Sequence, residues 1–369
     1  MTRFGDFWKG KRVFMTGHTG FKGGWLSIWL KDLHADLTGF SLPPSTKPNL
    51  FDLARVGSGI NSIIEDIRDA KAAENALFDA RPEIVFHLAS QAVVPLSYER
   101  PTETYETNVM GLVNLLEAVR KSGTVRAVVV VTSDKCYDNR ADLRAHREDD
   151  PMGGYDPYSS SKGCAELIIS AYRSSFFNQN MFIDHGVALA SARAGNVIGG
   201  GDWAENRLIP DIIRALELRR PVAIRSPRSV RPWQHVLEPL RGYLMLAQML
   251  CEHGPEFASG WNFGPRDDEA RPVQWVAEEL TQLWGYGATW AIAPEKKQFH
   301  ESQSLRLDCS KAHAALGWRP LLTLEQTLAM IHDWYKSVLA GGDALTLTLS
   351  QIKSYQSLHA RGHLEPDRG

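Results

Sequence analysis

The chain has 369 residues, more than one hydrophobic core usually serves, so a large domain with a smaller partner is expected. A formal net charge of -2 with 43% hydrophobic and 23% charged residues offers no basic surface for nucleic acid and no sign of disorder. The four cysteines, Cys136, Cys164, Cys251 and Cys309, make no CxxC pair and no zinc spacing, so no metal is expected. The chain opens without an apolar leader and has no apolar run near the roughly 20 residues that span a bilayer, which points to a cytoplasmic protein.

Residues 12–15 (Arg-Val-Phe-Met) read as a short β run ending in glycines, and residues 25–32 carry apolar side chains at helical spacing. Short apolar runs at 37–40, 63–64, 84–86 and 127–131 then alternate with helical segments at 72–78 and 112–119. Such alternation predicts an α/β, Rossmann-type doubly wound parallel sheet with helices on both faces. Residues 187–190 add another buried strand, after which Gly199-Gly200-Gly201 and several prolines break the rhythm. A smaller mixed α/β substrate-binding unit is expected there. The division predicted is 1–195 with 234–262 for the sheet domain and 196–233 with 263–369 for the smaller one. Helices at 240–249, 273–283 and 324–335 and a strand at 261–263 complete the reading, and residues from 339 onward are left as a lid, an interface or a loose end.

Two motifs carry chemistry. Thr16-Gly17-His18-Thr19-Gly20-Phe21-Lys22-Gly23 follows the first strand and opens the first helix. Glycines there permit a tight turn and close approach to a pyrophosphate, while open helix N–H groups favour an anion. Tyr158-Ser159-Ser160-Ser161-Lys162 opens a later predicted helix, and the four-residue step puts phenol and ammonium on one face. Both groups titrate at about 10 in free peptides, so a tyrosine base needs a nearby ammonium to act at neutral pH.

Taken in order with the segment Thr132-Ser133-Asp134-Lys135-Cys136-Tyr137, these motifs resemble the extended short-chain dehydrogenase/reductase family over residues 11–335. The resemblance implies a nicotinamide dinucleotide held by Gly17, Thr19, Gly20, Phe21, Lys22 and Gly23, with Asp66 and Ile67 at the adenine. It places Leu88, Ala89 and Ser90 beneath the cofactor, Thr107 beside it, and Tyr158 and Lys162 at the nicotinamide ribose. Ser41 stands where a carboxylate usually takes the ribose hydroxyls; NAD is expected, and NADP stays open because neither acid nor arginine adjoins Ser41.

Ser133 matches the family hydroxyl that bonds the substrate alcohol, and Tyr158 the base that takes its proton. Asp134 matches the acid of nucleotide-sugar 4,6-dehydratases, whose segment reads Thr-Asp-Glu; Lys135 replaces the glutamate, a departure that resembles dehydratases acting on CDP-glucose. The run from Ala192 to Trp203 resembles the same group, and Arg193, Asn196, Arg207, Leu208, Arg231 and His300 are implied on the nucleotide sugar. The expected reaction is loss of water from CDP-glucose by internal redox, which requires a raised pKa at Asp134 and a lowered one at Lys135. Rival readings are a nucleotide-sugar 4-epimerase, a dehydratase of dTDP-glucose or GDP-mannose, and a nucleotide sensor without catalysis. A homodimer or homotetramer is expected, through helices near 107–119 and 158–172, with no nucleic-acid or membrane partner.

Overall fold

The computed structural model describes residues 4, 6–138, 144–293 and 305–362. Seven strands make one sheet: β1 (Arg12–Thr16), β2 (Asp36–Ser41), β3 (Asn61–Ile64), β4 (Ile84–His87), β5 (Ala127–Val131), β6 (Ala188–Ala194) and β7 (Gly260–Phe263). Their spatial order is β7-β6-β5-β4-β1-β2-β3, and every pairing is parallel. The chain leaves β1 toward one edge and returns beside it as β4, so a crevice opens above the carboxyl ends of these two strands.

β4 and β5 are buried on both faces, which accounts for the unbroken apolar runs at 84–86 and 127–131. Val128 and Val130 point into one core with Phe14, Val85, Leu112 and Ile169, whereas Val129 and Val131 point into the other with Met15, Phe86, Leu240 and Tyr243. The first core is covered by helices α2 (Ala70–Ala80), α3 (Gly111–Ser122) and α4 (Pro157–Ser175). The second is covered by α1 (Phe21–Asp32) and, from the later part of the chain, α6 (Leu237–His253). Local chemistry sets the helix ends. Asp69 caps α2 by accepting the backbone N–H of Lys71 and Ala72, each at 2.9 Å, and α3 stops at Gly123 in a left-handed turn with φ 66°.

The later residues form α5 (Leu208–Glu217), α7 (Val273–Trp284), α8 (Leu324–Leu339) and three two-stranded pairings, among them Val230–Arg231 with Arg271–Pro272. Helix α1 begins at Phe21, ahead of residue 25 where the apolar spacing begins, because its first turn carries loop chemistry. No helix among the described residues is long and apolar enough to cross a membrane.

The segment after residue 339 is a docked helix, α9 (Ala344–Gly362). Ile352 and Tyr355 are fully buried; the Tyr355 ring meets Trp29 edge-on at 6.0 Å, and Trp334 donates its indole N–H to Thr348 Oγ1 at 3.0 Å. The Tyr355 hydroxyl donates to Glu238 Oε2 at 2.6 Å, while the other oxygen of Glu238 accepts the backbone N–H of Leu321 and Leu322, both at 2.8 Å. Tyr355→Ala opens a cavity over Trp29 and removes a donor from a buried carboxylate, so a loss of about 3–5 kcal/mol is expected in urea unfolding. Tyr355→Phe keeps the ring and is expected to lose about 1–3 kcal/mol; equal losses for the two variants would show that the ring contact contributes nothing.

Candidate active site

The glycine loop lies at the end of β1, and its glycines answer to different constraints. Gly17 has φ 81°, and a Cβ there would lie 2.7 Å from the backbone N of Ala89. At Gly23 a Cβ would fall 2.0 Å from the Gly17 carbonyl oxygen, so α1 can close onto the loop only without a side chain. Gly20 differs: its nearest neighbour would be 3.4 Å away, so no protein atom demands a glycine there and the room lies on the ligand side. As N-cap of α1, Gly20 offers no side-chain cap, and no acid sits in the first turn. These open N–H groups and the uncrowded face fit the pyrophosphate of a dinucleotide.

Around the loop, Thr19 donates its hydroxyl to the Leu42 carbonyl at 2.8 Å and meets Ser41 Oγ at 2.9 Å, tying the loop to the end of β2. His18 escaped the sequence reading. Its ring occupies the space over Gly39, where a Cβ would lie 2.4 Å away, and burial lowers its pKa to about 4, so it is neutral beside Ser62. Asp66 ends β3 with Arg68 bridged to its carboxylate, a hydrogen bond that holds the acid below its usual range; Ile67 is buried beneath Gly111. After β4 the backbone N–H groups of Leu88 and Ala89 donate to Thr16 Oγ1 at 3.2 and 3.1 Å, and Ser90 donates to Asn108 Oδ1 at 3.0 Å.

Asn108 is a second residue that sequence reasoning missed. Thr107 was expected at the cofactor and is half-buried, but its neighbour Asn108 joins the turn after β4 to the helix bearing Tyr158. It donates to the Gln91 carbonyl at 3.0 Å and to Ser161 Oγ at 2.9 Å. A wide π turn over Glu106–Met110 shifts the helical register, which simple i, i+4 counting does not anticipate. The available signal was a short polar side chain inside an otherwise helical run.

The residues expected to be catalytic lie just after β5 and at the start of α4. Thr132, Ser133 and Asp134 follow directly from the all-buried strand; Ser133 accepts the Lys135 backbone N–H at 3.2 Å and donates to Asp134 Oδ1 at 2.9 Å. Asp156 caps α4 by accepting from the backbone and hydroxyl of Ser159 at 2.9 and 2.6 Å, which sets Tyr158 and Lys162 in the first two turns. Both are buried, and Lys162 Nζ lies 5.9 Å from the phenol ring centroid. Burial pushes the Tyr158 pKa up to about 12 against the opposing hydrogen bond from Ser133, and burial pulls Lys162 down to about 8.

Asp134 is 5% exposed, and its Oδ2 lies 3.0 Å from where a Cβ on Gly195 would stand, so a side chain there would press on the acid. Burial raises its pKa, with Lys135, Ser133 and Lys22 opposing, which is the direction an acid catalyst requires. Lys22, expected at the cofactor, is half-buried in the first turn of α1. Burial and the nearby charges of Lys162 and Arg207 bring its pKa to about 7, with Asp134 opposing. Lys135 is half-buried at the same strand end.

On the substrate side the placements diverge. Arg207 caps α5, donates to Asp202 Oδ2 at 3.0 Å, and its charge reaches Tyr158 and Lys22; Leu208 packs beside it at the core edge. Asn196 follows β6 half-buried, its carbonyl accepting Gln234 N–H at 3.1 Å. Arg231 lies on a short edge pairing and donates to the Val230 carbonyl at 3.0 Å. Arg193 corrects an expectation: only 3% exposed, it is ion-paired with Glu166 at 2.8 Å and bonded to Tyr137 and Glu148, so its guanidinium faces the interior and not a substrate. His300, with Glu301, lies outside the described residues. Among the described residues no group of three His, Cys, Asp or Glu could hold a metal ion.

A family model described as GDP-mannose 4,6 dehydratase matches residues 14–331. The CDP-glucose 4,6-dehydratase of Salmonella typhimurium is 53% identical over 356 residues, covering 96% of this chain and 99% of that protein. The dTDP-glucose 4,6-dehydratase of Haemophilus influenzae is 25% identical over 342 residues, covering 88% and 97%. The solved dTDP-glucose 4,6-dehydratase of Bacillus anthracis, in complex with NAD, matches with a TM-score of 0.73 at 20% identity over 91% of this chain and 100% of that one, a likeness of fold. With a family model spanning most of its length and a relative identical at more than half of the aligned positions, the chain belongs to the GDP-mannose 4,6 dehydratase family.

Proposed function

We propose that the chain removes water from CDP-glucose to give CDP-4-keto-6-deoxyglucose, using a dinucleotide, NAD, held on the glycine loop. The observation that carries this reading is Asp134: a buried carboxylic acid with a raised pKa, wedged against Gly195 beside the Tyr158 and Lys162 pair. A 4-epimerase needs the tyrosine and the cofactor only, whereas dehydration needs an acid for the departing C6 hydroxyl. The substrate base is read from the 53% identical relative, whose name states CDP-glucose.

The nicotinamide, when bound, accepts hydride from C4 and returns it at C6. The protein's own part is proton movement and orientation. Ser133 holds the C4 hydroxyl, and Tyr158 takes its proton; Lys162 opposes the burial that would otherwise keep the phenol protonated. The 4-ketone acidifies the C5 hydrogen, which Lys135 removes, Asp134 protonates the C6 hydroxyl as it leaves as water, and Lys135, its proton exchanged with solvent, returns one to C5 as C6 is reduced. Arg207 and Asn196 meet the sugar diphosphate, for which a guanidinium fork is suited. In this reading residues 1–195 with 234–262 hold the dinucleotide and 196–233 with 263–369 close over the nucleotide sugar. The protein works in the cytoplasm as a homodimer or homotetramer.

Incubation with CDP-, dTDP-, UDP- and GDP-sugars, read by the absorbance of a 4-keto product in alkali, tests the proposal. CDP-glucose is expected to give product at the highest kcat/KM; an epimerised hexose, or preference for another base, would contradict it. Tyr158→Phe is expected to lower turnover by about 10²–10⁴-fold with dinucleotide affinity little changed; normal turnover would remove the phenol from the chemistry. Lys135→Met is expected to retain C4 oxidation while abolishing solvent-deuterium entry at C5, and unaltered exchange would exclude this lysine as the base.

A further inference from the structure

Behind the catalytic residues lies a buried ionic cluster that the reaction does not use. The Thr132 hydroxyl donates to Glu166 Oε1 at 2.5 Å, and Ser191 Oγ and Arg193 Nη2 donate to Glu166 Oε2 at 2.7 and 2.8 Å. Arg193 Nη1 donates to Tyr137 Oη at 2.7 Å and to the Glu148 carbonyl at 2.9 Å, and the Tyr137 hydroxyl donates to Asn262 Oδ1 at 2.7 Å. Every side chain named in these bonds is less than a tenth exposed. One carboxylate thereby joins α4, the end of β5 and β6, and its arginine carries the connection on to Tyr137 and β7.

A buried ion pair is a poor source of net stability, because desolvating both charges offsets their attraction; its best-attested use is to fix one arrangement among several. Here the arrangement is that of the active site. Thr132 immediately precedes Ser133, Asp134 and Lys135, and Glu166 stands one helical turn beyond Lys162 on the same face of α4.

We propose that Glu166, held by Arg193, is a positioning residue that locks the strand end bearing Ser133 and Asp134 to the helix bearing Tyr158 and Lys162, and keeps Lys162 cationic. This inference rests on the dehydratase reading above. The groups facing Lys162 are Tyr158 and Glu166 from its own helix, Cys136 after β5, His87 from β4 and Lys22 from α1. Without bound dinucleotide, burial keeps the Cys136 thiol and the Tyr158 phenol protonated and His87 neutral, and Lys22 repels; the phenol would ionise to act as base once the cationic nicotinamide is bound. Glu166 is ionised, held below its usual range by Arg193, Thr132 and Ser191 against the effect of burial. Of the five facing groups it is the one that stabilises the ammonium by its own charge.

Glu166→Gln keeps the shape and removes the charge. In the holoenzyme it is expected to lower kcat on CDP-glucose by about 10- to 100-fold with KM within about threefold. The alkaline limb of its kcat/KM profile is expected to move to lower pH, because loss of a facing carboxylate lowers the pKa of Lys162. An unchanged kcat or an alkaline limb left in place overturns the proposal. Should Glu166→Gln fail to fold, Thr132→Val, which retains the ion pair and deletes only the hydroxyl bonded to it, decides the positioning role: a lowered kcat at unchanged KM sustains it, and wild-type kcat overturns it. Wild-type protein in the same assay separates the two readings, since no 4-keto product from it refutes the dehydratase itself, whereas product from it with unaltered variants refutes only the positioning role.

Discussion

A phenol that must give up its proton inside a protein is opposed by the burial that keeps water from the reaction. Tyr158 sits in that position, its pKa pushed up to about 12 by loss of solvent. The sheet brings cations from three separate elements to one crevice, Lys162 from the same helix, Lys22 from the start of α1 and Arg207 from the start of α5, and the Arg207 charge and the Ser133 hydrogen bond oppose the burial of the phenol. Burial is the main reason that Lys22 and Lys162 lie well below an ordinary lysine, and at Lys22 the charges of Lys162 and Arg207 add to it. A bound dinucleotide diphosphate and a nucleotide-sugar diphosphate carry the negative charge that such a cluster lacks, so substrate binding and the tuning of the phenol belong to one electrostatic problem.

The same economy explains why the acid lies where it does. Asp134 opens a short 3₁₀ turn just after the valine-rich β5, lies over Gly195, and is bonded there by Ser133. Its raised pKa and the cations around it pull in opposite directions, and burial is the larger influence. Rigidity comes from residues that touch no substrate: Asn108 between the β4 turn and α4, and Glu166 between α4 and the strand ends.

Much of this was legible in the residues. Strand and helix order, the glycine loop and the tyrosine–lysine step are local patterns, and each lies where its period placed it. Asp134 was read as an acid from its resemblance to the Thr-Asp-Glu segment of nucleotide-sugar 4,6-dehydratases. The misses share a cause: they depend on contacts far apart in sequence. Arg193 looked like a substrate arginine because it follows a strand and precedes Asn196, yet its partner Glu166 lies on a helix 27 residues earlier. The segment from 339 onward was left as a lid, an interface or a loose end, and its docking as α9 depends on Trp29, Trp334 and Glu238 on other helices. Lys22 was read as a cofactor contact from its motif; that its charge also reaches Asp134 follows from α1 beginning at the same edge of the parallel sheet where β5 ends, which spacing alone does not contain.

If hydride leaves C4 and returns to C6 within one binding event, the path of a single label settles the matter. CDP-glucose carrying deuterium at C4, turned over by the wild-type protein, is predicted to yield product with that deuterium at C6 and none in the solvent. Product lacking the label at C6, or label recovered in water, would contradict an internally closed redox cycle started at Tyr158.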